Sequence, residues 1–175
     1  SLAEIKLLLP SLNKGFAFDV ETTALAIQDA QLIGLSICVA KDKVYYIPCE
    51  LDDSLNAQQG LSAPLFSSGK SQSVTFKLTP LLATLKPYFE DGSIKKIAHN
   101  AKYDIQVLAN YGIHVQGELF DTMIAASLIF PAERIGLKDL VLRQFNVQMI
   151  TYEDVLGDQP SLVTVDTEKV AHYAS

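Results

Sequence analysis

The chain has 175 residues, of which 49% are hydrophobic and 19% charged, a composition typical of one folded domain. Its formal net charge of −6 argues against a protein that holds nucleic acid through lysine and arginine contacts alone. No apolar run reaches the roughly 20 residues that a membrane span requires, and two cysteines cannot build a disulfide framework.

The first part of the chain predicts an antiparallel meander of three strands. The strands are predicted over residues 15–21, 31–40 and 44–47. In the first strand, large apolar side chains alternate with small or acidic ones. Phe16, Phe18 and Val20 are therefore expected to face one side of the sheet. A polar turn separates the second strand from the third, and Pro48 stops the third. This pattern predicts one sheet face that packs on a core.

Two further features of this region bear on location and shape. Cys38 falls within an apolar strand pattern and is expected in the core, and a reducing, intracellular compartment is expected for a chain with so few cysteines. Residues 52–75 are polar and contain glycines and serines, which predicts a surface loop insertion without chemistry of its own.

The second part of the chain predicts helices that alternate with short strands. Helices are predicted over residues 80–90, 101–111, 121–129, 137–145 and 152–156 and from Thr167 onward, with short strands over 94–98 and 119–120. Thr79 and Asn100 are predicted to cap the first two helices. Strands followed by alternating helices and strands predict an α/β domain with a mixed sheet.

A pair of carboxylates, Asp19 and Glu21, is the first candidate for chemistry. Two residues apart on a strand, they project from one face, opposite to the apolar Phe16 and Phe18. Neighbouring carboxylates repel each other, and their burial favours protonation of one unless a divalent cation compensates the charge. The spacing alone leaves two interpretations open, a metal site or an exposed pair at a strand end.

Two aspartates stand at predicted helix starts. Asp104 lies in a first turn, where the helix dipole favours negative charge, yet its spacing to Ala101 and Leu108 places it on the apolar stripe. Spacing alone favours a plain helix-terminal charge for Asp104, but a carboxylate on a core-facing stripe then lacks a partner. Asp121 is expected to be an N-cap that accepts hydrogen bonds from backbone N–H groups.

Other common catalytic signatures are missing from the sequence. The three histidines and two cysteines lack the spacing of a zinc site. There is no GxGxxG or GxxxxGK[ST] phosphate loop and no Gly-x-Ser-x-Gly elbow. These absences argue against a dinucleotide enzyme, a P-loop NTPase and a common serine hydrolase.

Several motifs, taken in order, resemble those of the DEDD exonuclease family. They are Phe18-Asp19-Val20-Glu21-Thr22-Thr23, His99-Asn100-Ala101-Lys102-Tyr103-Asp104, Leu108-Ala109-Asn110-Tyr111-Gly112-Ile113, Phe120-Asp121-Thr122-Met123 and Thr151-Tyr152-Glu153-Asp154. The third and fourth runs make the 3′–5′ proofreading domain of bacterial DNA polymerase I, a family A polymerase, the nearest match. The resemblance covers nearly the whole chain. It implies a ribonuclease H-like mixed sheet, an antiparallel meander of three strands plus short parallel strands, flanked by helices.

The resemblance also implies a role for each matched residue, with two divalent cations, Mg²⁺ or Mn²⁺, as cofactors. Asp19 would contact both ions, Glu21 would help to hold the first, and Asp104 the second. Tyr173 would orient the attacking water. Implied contacts with the DNA strand are made by Thr22 and Leu25 at the 3′-terminal nucleotide and by Asn100, Tyr103 and Tyr152 along its path. Bound cations would also explain how an acidic chain meets phosphates.

The last motif of this family is Tyr-x-x-x-Asp, and Tyr173 matches its first residue two positions before the end of the chain at Ser175. We therefore expect residues 1–175 to be a 3′–5′ exonuclease domain cut from a larger polymerase, with a fourth carboxylate outside this sequence. The implied partners are the 3′ end of single-stranded DNA and the polymerase domain of the same parent chain. No interaction with a membrane is implied. The implied location is the bacterial cytoplasm.

Two other functions are left open at this point. One is a ribonuclease D-like exonuclease that trims RNA, although the runs around Asn110 and Asp121 favour the polymerase subfamily. The other is an inactive exonuclease fold that serves as a scaffold in a family A polymerase. Such scaffolds lack the metal carboxylates, so the presence of Asp19, Glu21 and Asp104 favours an active enzyme.

Overall fold

The computed structural model describes residues 2–49, 79–159 and 161–174, and the predicted insertion at 52–75 lies outside these ranges. In chain order the elements are α1 Leu2–Leu12, β1 Phe16–Thr22, β2 Leu32–Ala40, β3 Lys43–Pro48, α2 Pro80–Glu90, β4 Lys96–Ala98, α3 Ala101–Asn110, β5 Leu119–Asp121, α4 Thr122–Ile129, α5 Leu137–Phe145, α6 Tyr152–Leu156, a 3₁₀ turn Leu162–Thr164 and α7 Thr167–Ala174. None of the helices in these ranges has the length and apolar character that crossing a bilayer requires.

The strands form one mixed sheet in the order β3-β2-β1-β4-β5. β1 pairs antiparallel with β2, and β2 pairs antiparallel with β3, as the predicted meander requires. β4 and β5 extend the sheet on the other side of β1 in parallel pairing. This arrangement confirms the predicted mixed sheet flanked by helices. It places β1, which carries the candidate carboxylates, at the centre of the sheet.

One face of the sheet packs on the main hydrophobic core. Phe16, Phe18 and Val20 of β1 are buried there beneath α2 and α3. The Phe89 ring of α2 lies 5.1 Å from both the Phe16 and the Phe18 ring centres, edge to face. Such pairs add about 0.5–1.5 kcal/mol to the free energy gained by burial. The predicted alternation along β1 is therefore confirmed.

A single carboxylate organises the starts of two helices. Asp121 caps α4 by accepting a hydrogen bond from the Met123 amide at 2.8 Å, as predicted. It also accepts from the backbone N–H groups of Asn100 at 3.1 Å and Ala101 at 2.9 Å, at the start of α3. The prediction that Asn100 caps α3 is wrong in its chemistry, because Asn100 has a left-handed backbone with φ 65° and no side-chain cap hydrogen bond. Parallel pairing of β4 with β5 brings the two helix starts together.

Two elements were not predicted. Helix α1 has three consecutive leucines and Pro10 within it, a sequence without a clear helical period, but it buries Leu8 and Leu12 in the main core. The 3₁₀ turn buries Leu162 in a second, smaller cluster with Ile33, Val155 and Val170. Both elements are therefore held by tertiary packing rather than by a local pattern.

Smaller differences concern the ends of elements and one core prediction. β4 begins at Lys96, two residues after the predicted start, and α3 ends one residue early, before Tyr111. β3 includes Pro48 as its last residue. Cys38 is only half-buried, and its thiol donates to the Ala40 carbonyl at 3.2 Å, so its assignment to the core is wrong. Cys38 faces the other side of the sheet from the main core, together with Asp19.

Candidate active site

The second face of the sheet borders an open cleft of about 1080 Å³. β1 directs Asp19 and Glu21 to this face because they alternate with the buried phenylalanines and Val20. The opposite wall is formed by α5 and by the end of α7. Residues that line the cleft include Asp19, Glu21, Ser36, His99, Lys138 and Tyr173. Strands and helices from both halves of the chain thus meet around the carboxylate pair.

Asp19 combines access to water with a poorly solvating environment. Its side chain is exposed to the cleft, while protein surrounds its other sides. Loss of solvation raises the pKa of Asp19 to about 6, although the Val20 backbone amide acts in the opposite direction. A carboxylate that is both accessible and poorly solvated is suited to bind a cation from solution.

Glu21 is half-buried and shares this environment. Burial and, to a smaller extent, the negative charge of Asp19 raise the pKa of Glu21 to about 7, against the opposing effect of Lys138. Its strand partner Gly34 leaves space that the Tyr46 ring occupies, since a Cβ at Gly34 would lie 2.1 Å from the Tyr46 hydroxyl. Glu21 is therefore enclosed by an aromatic ring and a cation beside an open cleft.

Asp104 of α3 is nearly inaccessible, with 3% of its surface exposed. Burial, followed by the charge of Asp19, raises the pKa of Asp104 to about 7. The interpretation of Asp104 as a plain helix-terminal charge is therefore wrong, because a surface charge would be solvated. The apolar stripe of α3 turns this carboxylate toward β1, as the spacing to Ala101 and Leu108 indicates.

The three carboxylates interact, but they are not a complete cage. Asp19 acts electrostatically on both Glu21 and Asp104. In the part of the chain that the structure describes, no group of three or more acidic, histidine or cysteine side chains is arranged so that it could hold a metal ion. Mg²⁺ commonly binds to one or two carboxylates and completes its octahedron with water and substrate phosphates. The oxygen donors and their mutual repulsion therefore fit such a cation.

Tyr173 lies at the edge of the cleft, on the last turn of α7. Burial, followed by the charges of Glu21 and Asp19, raises the pKa of Tyr173 to about 12. Its hydroxyl therefore stays protonated at neutral pH and is able to donate a hydrogen bond near the carboxylates. The Lys138 ammonium lies 5.0 Å from the centre of its ring.

The candidate strand-binding residues are not on the wall of this cleft. Tyr103 donates to the Ala24 carbonyl at 2.7 Å and lies 2.7 Å from the Thr22 hydroxyl oxygen. Leu25, in the loop that follows β1, is 92% exposed although it is apolar. Asn100 is also exposed, at the start of α3. The structure thus brings Thr22, Tyr103 and the Leu25 loop together beside the cleft.

Two more side chains of the α3 region hold the Leu25 loop, which joins β1 to β2, and the start of β2. The Asn110 amide donates to the Ile27 carbonyl at 2.9 Å, and the Tyr111 hydroxyl accepts from the Leu32 amide at 2.7 Å. Tyr152 stands apart, at the first position of α6, and is 42% exposed. Thr151 and Asp154 form a reciprocal capping box that fixes this start of α6.

Sequence reasoning missed several residues around the carboxylates. Lys138 and Tyr46 belong to none of the matched motifs, and only the fold brings them next to Glu21. Ser36, directly opposite Asp19 in the strand pairing, has a buried hydroxyl without a partner among the described residues. His99 is the first residue of a matched motif but was given no role, and its Nδ1 is 2.9 Å from the Thr122 hydroxyl. Its place in that motif was the sequence signal that could have singled it out.

Comparison with known proteins decides the family. A family model described as 3′–5′ exonuclease, from the DNA polymerase A group, matches residues 2–175. The chain belongs to this 3′–5′ exonuclease family. The exonuclease chain is also 36% identical over 165 residues to DNA polymerase I of Chloroflexus aurantiacus and 30% identical over 165 residues to that of Pseudomonas aeruginosa. These matches cover 91% of the chain but 15% and 16% of the two polymerases.

Solved structures agree with the fold of the exonuclease. Brucella melitensis NrnC with bound Mg²⁺ has a TM-score of 0.62 and 25% identity, over 92% of this chain and 64% of NrnC. Escherichia coli RNase D has a TM-score of 0.62 over 99% of this chain and 38% of RNase D, at 17% identity. The RNase D likeness supports the fold alone, which is ribonuclease H-like.

Proposed function

We propose that this exonuclease hydrolyses the 3′-terminal phosphodiester of single-stranded DNA with two divalent cations, Mg²⁺ or Mn²⁺. The observation that carries the proposal is the position of Asp19, which faces an open cleft and has both Glu21 and Asp104 as charged neighbours. Close carboxylates with raised pKa values are unfavourable in the empty protein and favourable around cations.

The carboxylates would divide the work of holding the cations. Asp19, which interacts with both other carboxylates, would contact both ions, while Glu21 holds the first and Asp104 the second. The contact of Asp104 with the second ion would run through a water molecule, as the resemblance to the family implies. When bound, the two cations would activate the attacking water and stabilise the leaving oxygen.

Tyr173 would orient the attacking water by a hydrogen bond. Its position at the rim of the cleft and its raised pKa of about 12 support a protonated donor rather than a base.

The DNA strand would reach the carboxylates past the Leu25 loop. Leu25 would contact the terminal base, and Thr22 the terminal nucleotide, while the Tyr103 hydroxyl bonds to Thr22 and to the Ala24 carbonyl next to Leu25. Asn100 offers an exposed amide along the strand, and Tyr152 an exposed ring on which a base can stack.

The biological role that fits this activity is proofreading during DNA synthesis. We propose that residues 1–175 form one exonuclease domain of a DNA polymerase I and act beside its polymerase domain, in the bacterial cytoplasm. The support is the match to DNA polymerase I from several bacteria, each over about nine-tenths of this chain or more.

The proposal is tested by digestion of a single-stranded oligonucleotide labelled at its 3′ end, with Mg²⁺, with Mn²⁺ and with EDTA. The natural polypeptide that carries residues 1–175 is compared with its Asp19→Asn variant, and matched RNA and DNA strands are used. We expect release of single nucleotides from the 3′ end of DNA, only with metal and only with Asp19 present.

Other outcomes would contradict the proposal in distinct ways. Faster digestion of RNA than of DNA would support a ribonuclease D-like activity instead. Absence of digestion with either metal would support an inactive scaffold. Undiminished digestion by the Asp19→Asn variant would show that the carboxylates do not form the active site.

A further inference from the structure

Lys138 lies close to residues of four elements, three of which line the cleft. It is the second residue of α5, and its ammonium group lies 5.0 Å from the centre of the Tyr173 ring on α7. Its charge also acts on Glu21 of β1 and on Asp154 of α6. One cation is therefore shared by β1, α5, α6 and α7, and it lines the cleft beside the carboxylates.

The ammonium group of Lys138 is not engaged in an ion pair within the described ranges. The ion pairs found there join glutamates to Lys86, Lys95 and Arg143. A cation over the face of an aromatic ring is attracted by the ring's quadrupole, and more strongly where water is partly excluded. The contact that fixes the Lys138 ammonium in this structure is therefore the Tyr173 ring.

Helices α5 and α7 need such a link because the hydrophobic core holds them weakly. No residue of α5 is buried, and Val170 is the buried residue of α7. Val170 lies in the second cluster, and the partly buried Tyr173 ring packs against that cluster. The Lys138 ammonium adds a contact over the face of this ring from α5, which contributes no buried residue of its own.

We propose that Lys138 is a positioning residue that holds the Tyr173 ring beside Glu21, so that the Tyr173 hydroxyl points at the site of reaction. The proposal rests on the proposed function, in which Tyr173 orients the attacking water. Lys138 would act through Tyr173, without touching the DNA. A rigid α7 would be the physical consequence, since the contact ties its last turn to α5.

The kinetic test compares Lys138→Met, which keeps a side chain of similar length without the charge, with Lys138→Arg, which keeps a cation for the ring. Digestion of 3′-labelled single-stranded DNA should show kcat lowered about ten-fold in Lys138→Met, with KM changed less than about two-fold. Lys138→Arg should restore most of kcat. Lys43→Met is the matched control, because Lys43 is an exposed lysine at the start of β3, and it should leave both constants unchanged.

A second readout does not depend on activity. Hydrogen exchange followed by mass spectrometry should show faster exchange in peptides from α7 in Lys138→Met, and unchanged exchange in peptides from α2. A raised KM with normal kcat would overturn the proposal, because it would mean that Lys138 binds the phosphate backbone. Unchanged exchange in α7 would overturn it as well. If the unaltered protein does not digest DNA, the proposed function fails, and the exchange experiment still decides whether Lys138 holds Tyr173.

Discussion

The two faces of the central sheet differ in what they bury and in what they leave open. Helix α2 covers the first face with Leu82, Leu85 and Phe89, each 0% exposed. Helix α5 lies across the second face without a single buried residue, above a cleft that contains Asp19 and Glu21. Strand β1 belongs to both faces, because its side chains alternate between them.

Along β1, residues that stabilise the fold therefore alternate with residues proposed to act in catalysis. On the first face, apolar contacts contribute free energy of folding, and none of the core residues needs to meet a ligand. Asp19 and Glu21 on the second face, together with Asp104 of α3, have raised pKa values and oppose folding in the absence of cations. Substitutions on the two faces should therefore have opposite consequences for stability and for activity.

The largest effect is expected for Asp19→Ala, on the second face. Loss of the carboxylate shared by both proposed ions should lower kcat by at least about 1,000-fold, since a bound metal contributes several kcal/mol to a hydrolysis barrier. The thermal midpoint without metal should stay the same or rise, because a poorly solvated charge is removed. Steady-state digestion of labelled DNA and differential scanning calorimetry measure the two effects. A variant that digests DNA at a near-normal rate would contradict the two-ion assignment.

The opposite result is expected for Phe89→Ala, on the first face. Truncation of a fully buried aromatic ring that touches Phe16 and Phe18 should lower the free energy of unfolding by about 3–5 kcal/mol. The kcat per folded molecule should change little, because Phe89 does not face the cleft. Phe145→Ala is the matched control, since Phe145 is 73% exposed and its truncation should cost less than about 0.5 kcal/mol. Equal destabilisation by the two variants in urea would contradict the assignment of the core to the first face.

A smaller effect, with a defined pH dependence, is expected for Asp104→Asn in EDTA. The pKa of Asp104 is about 7 in the folded protein and near 3.8 in the unfolded chain, so folding takes up a proton between these values. The stability that Asp104 contributes is full below about pH 4 and is lost as the pH rises toward 7. Asp104→Asn should thus melt roughly 5 °C or more above the unaltered protein at pH 8, and much closer to it at pH 4. A constant difference across this range would contradict the buried carboxylate.

The smallest effect is expected at the edge between the two faces, for Tyr103→Phe. The hydroxyl that bonds to Ala24 and Thr22 is lost, which should lower stability by about 1 kcal/mol and slow digestion by a few-fold. Leu25→Ala provides the contrast, because Leu25 is 92% exposed and its loss should weaken DNA binding without changing the thermal midpoint. Urea unfolding and fluorescence anisotropy of labelled DNA would separate the two effects. Destabilisation by Leu25→Ala would mean that the loop packs on the fold rather than on a strand.

The sequence predicted the first face better than the second. Alternation in β1 and the helical stripe of α2 are local patterns, and such patterns are enough to assign Phe16, Phe18 and Phe89 to a core. The apolar stripe of α3 was enough to predict that Asp104 faces the core. Its interaction with Asp19 could not be predicted, because Asp19 lies 85 positions away in the chain.

The features that were missed depend on contacts distant in sequence. Asp121 caps α3 although it lies 20 residues after the start of that helix. Capping rules consider only residues next to a helix end and therefore cannot predict this contact. Lys138 is, on sequence alone, a lysine in the first turn of an amphipathic helix, and only the packing of α5 against α7 brings it to Tyr173. Asn100 illustrates the reverse case, since its type suits a cap and its left-handed backbone prevents that role.

The proposed metal site is tested by anomalous X-ray scattering from crystals of the protein soaked in Mn²⁺. We expect peaks in the cleft, with carboxylate oxygens of Asp19 and Glu21 at roughly the 2.0–2.1 Å typical of small divalent cations and Asp104 in the adjoining shell. The same soak of Asp19→Asn crystals should lose these peaks. Manganese bound elsewhere on the protein, or equally well without the Asp19 carboxylate, would contradict the assignment of the second face as the metal site.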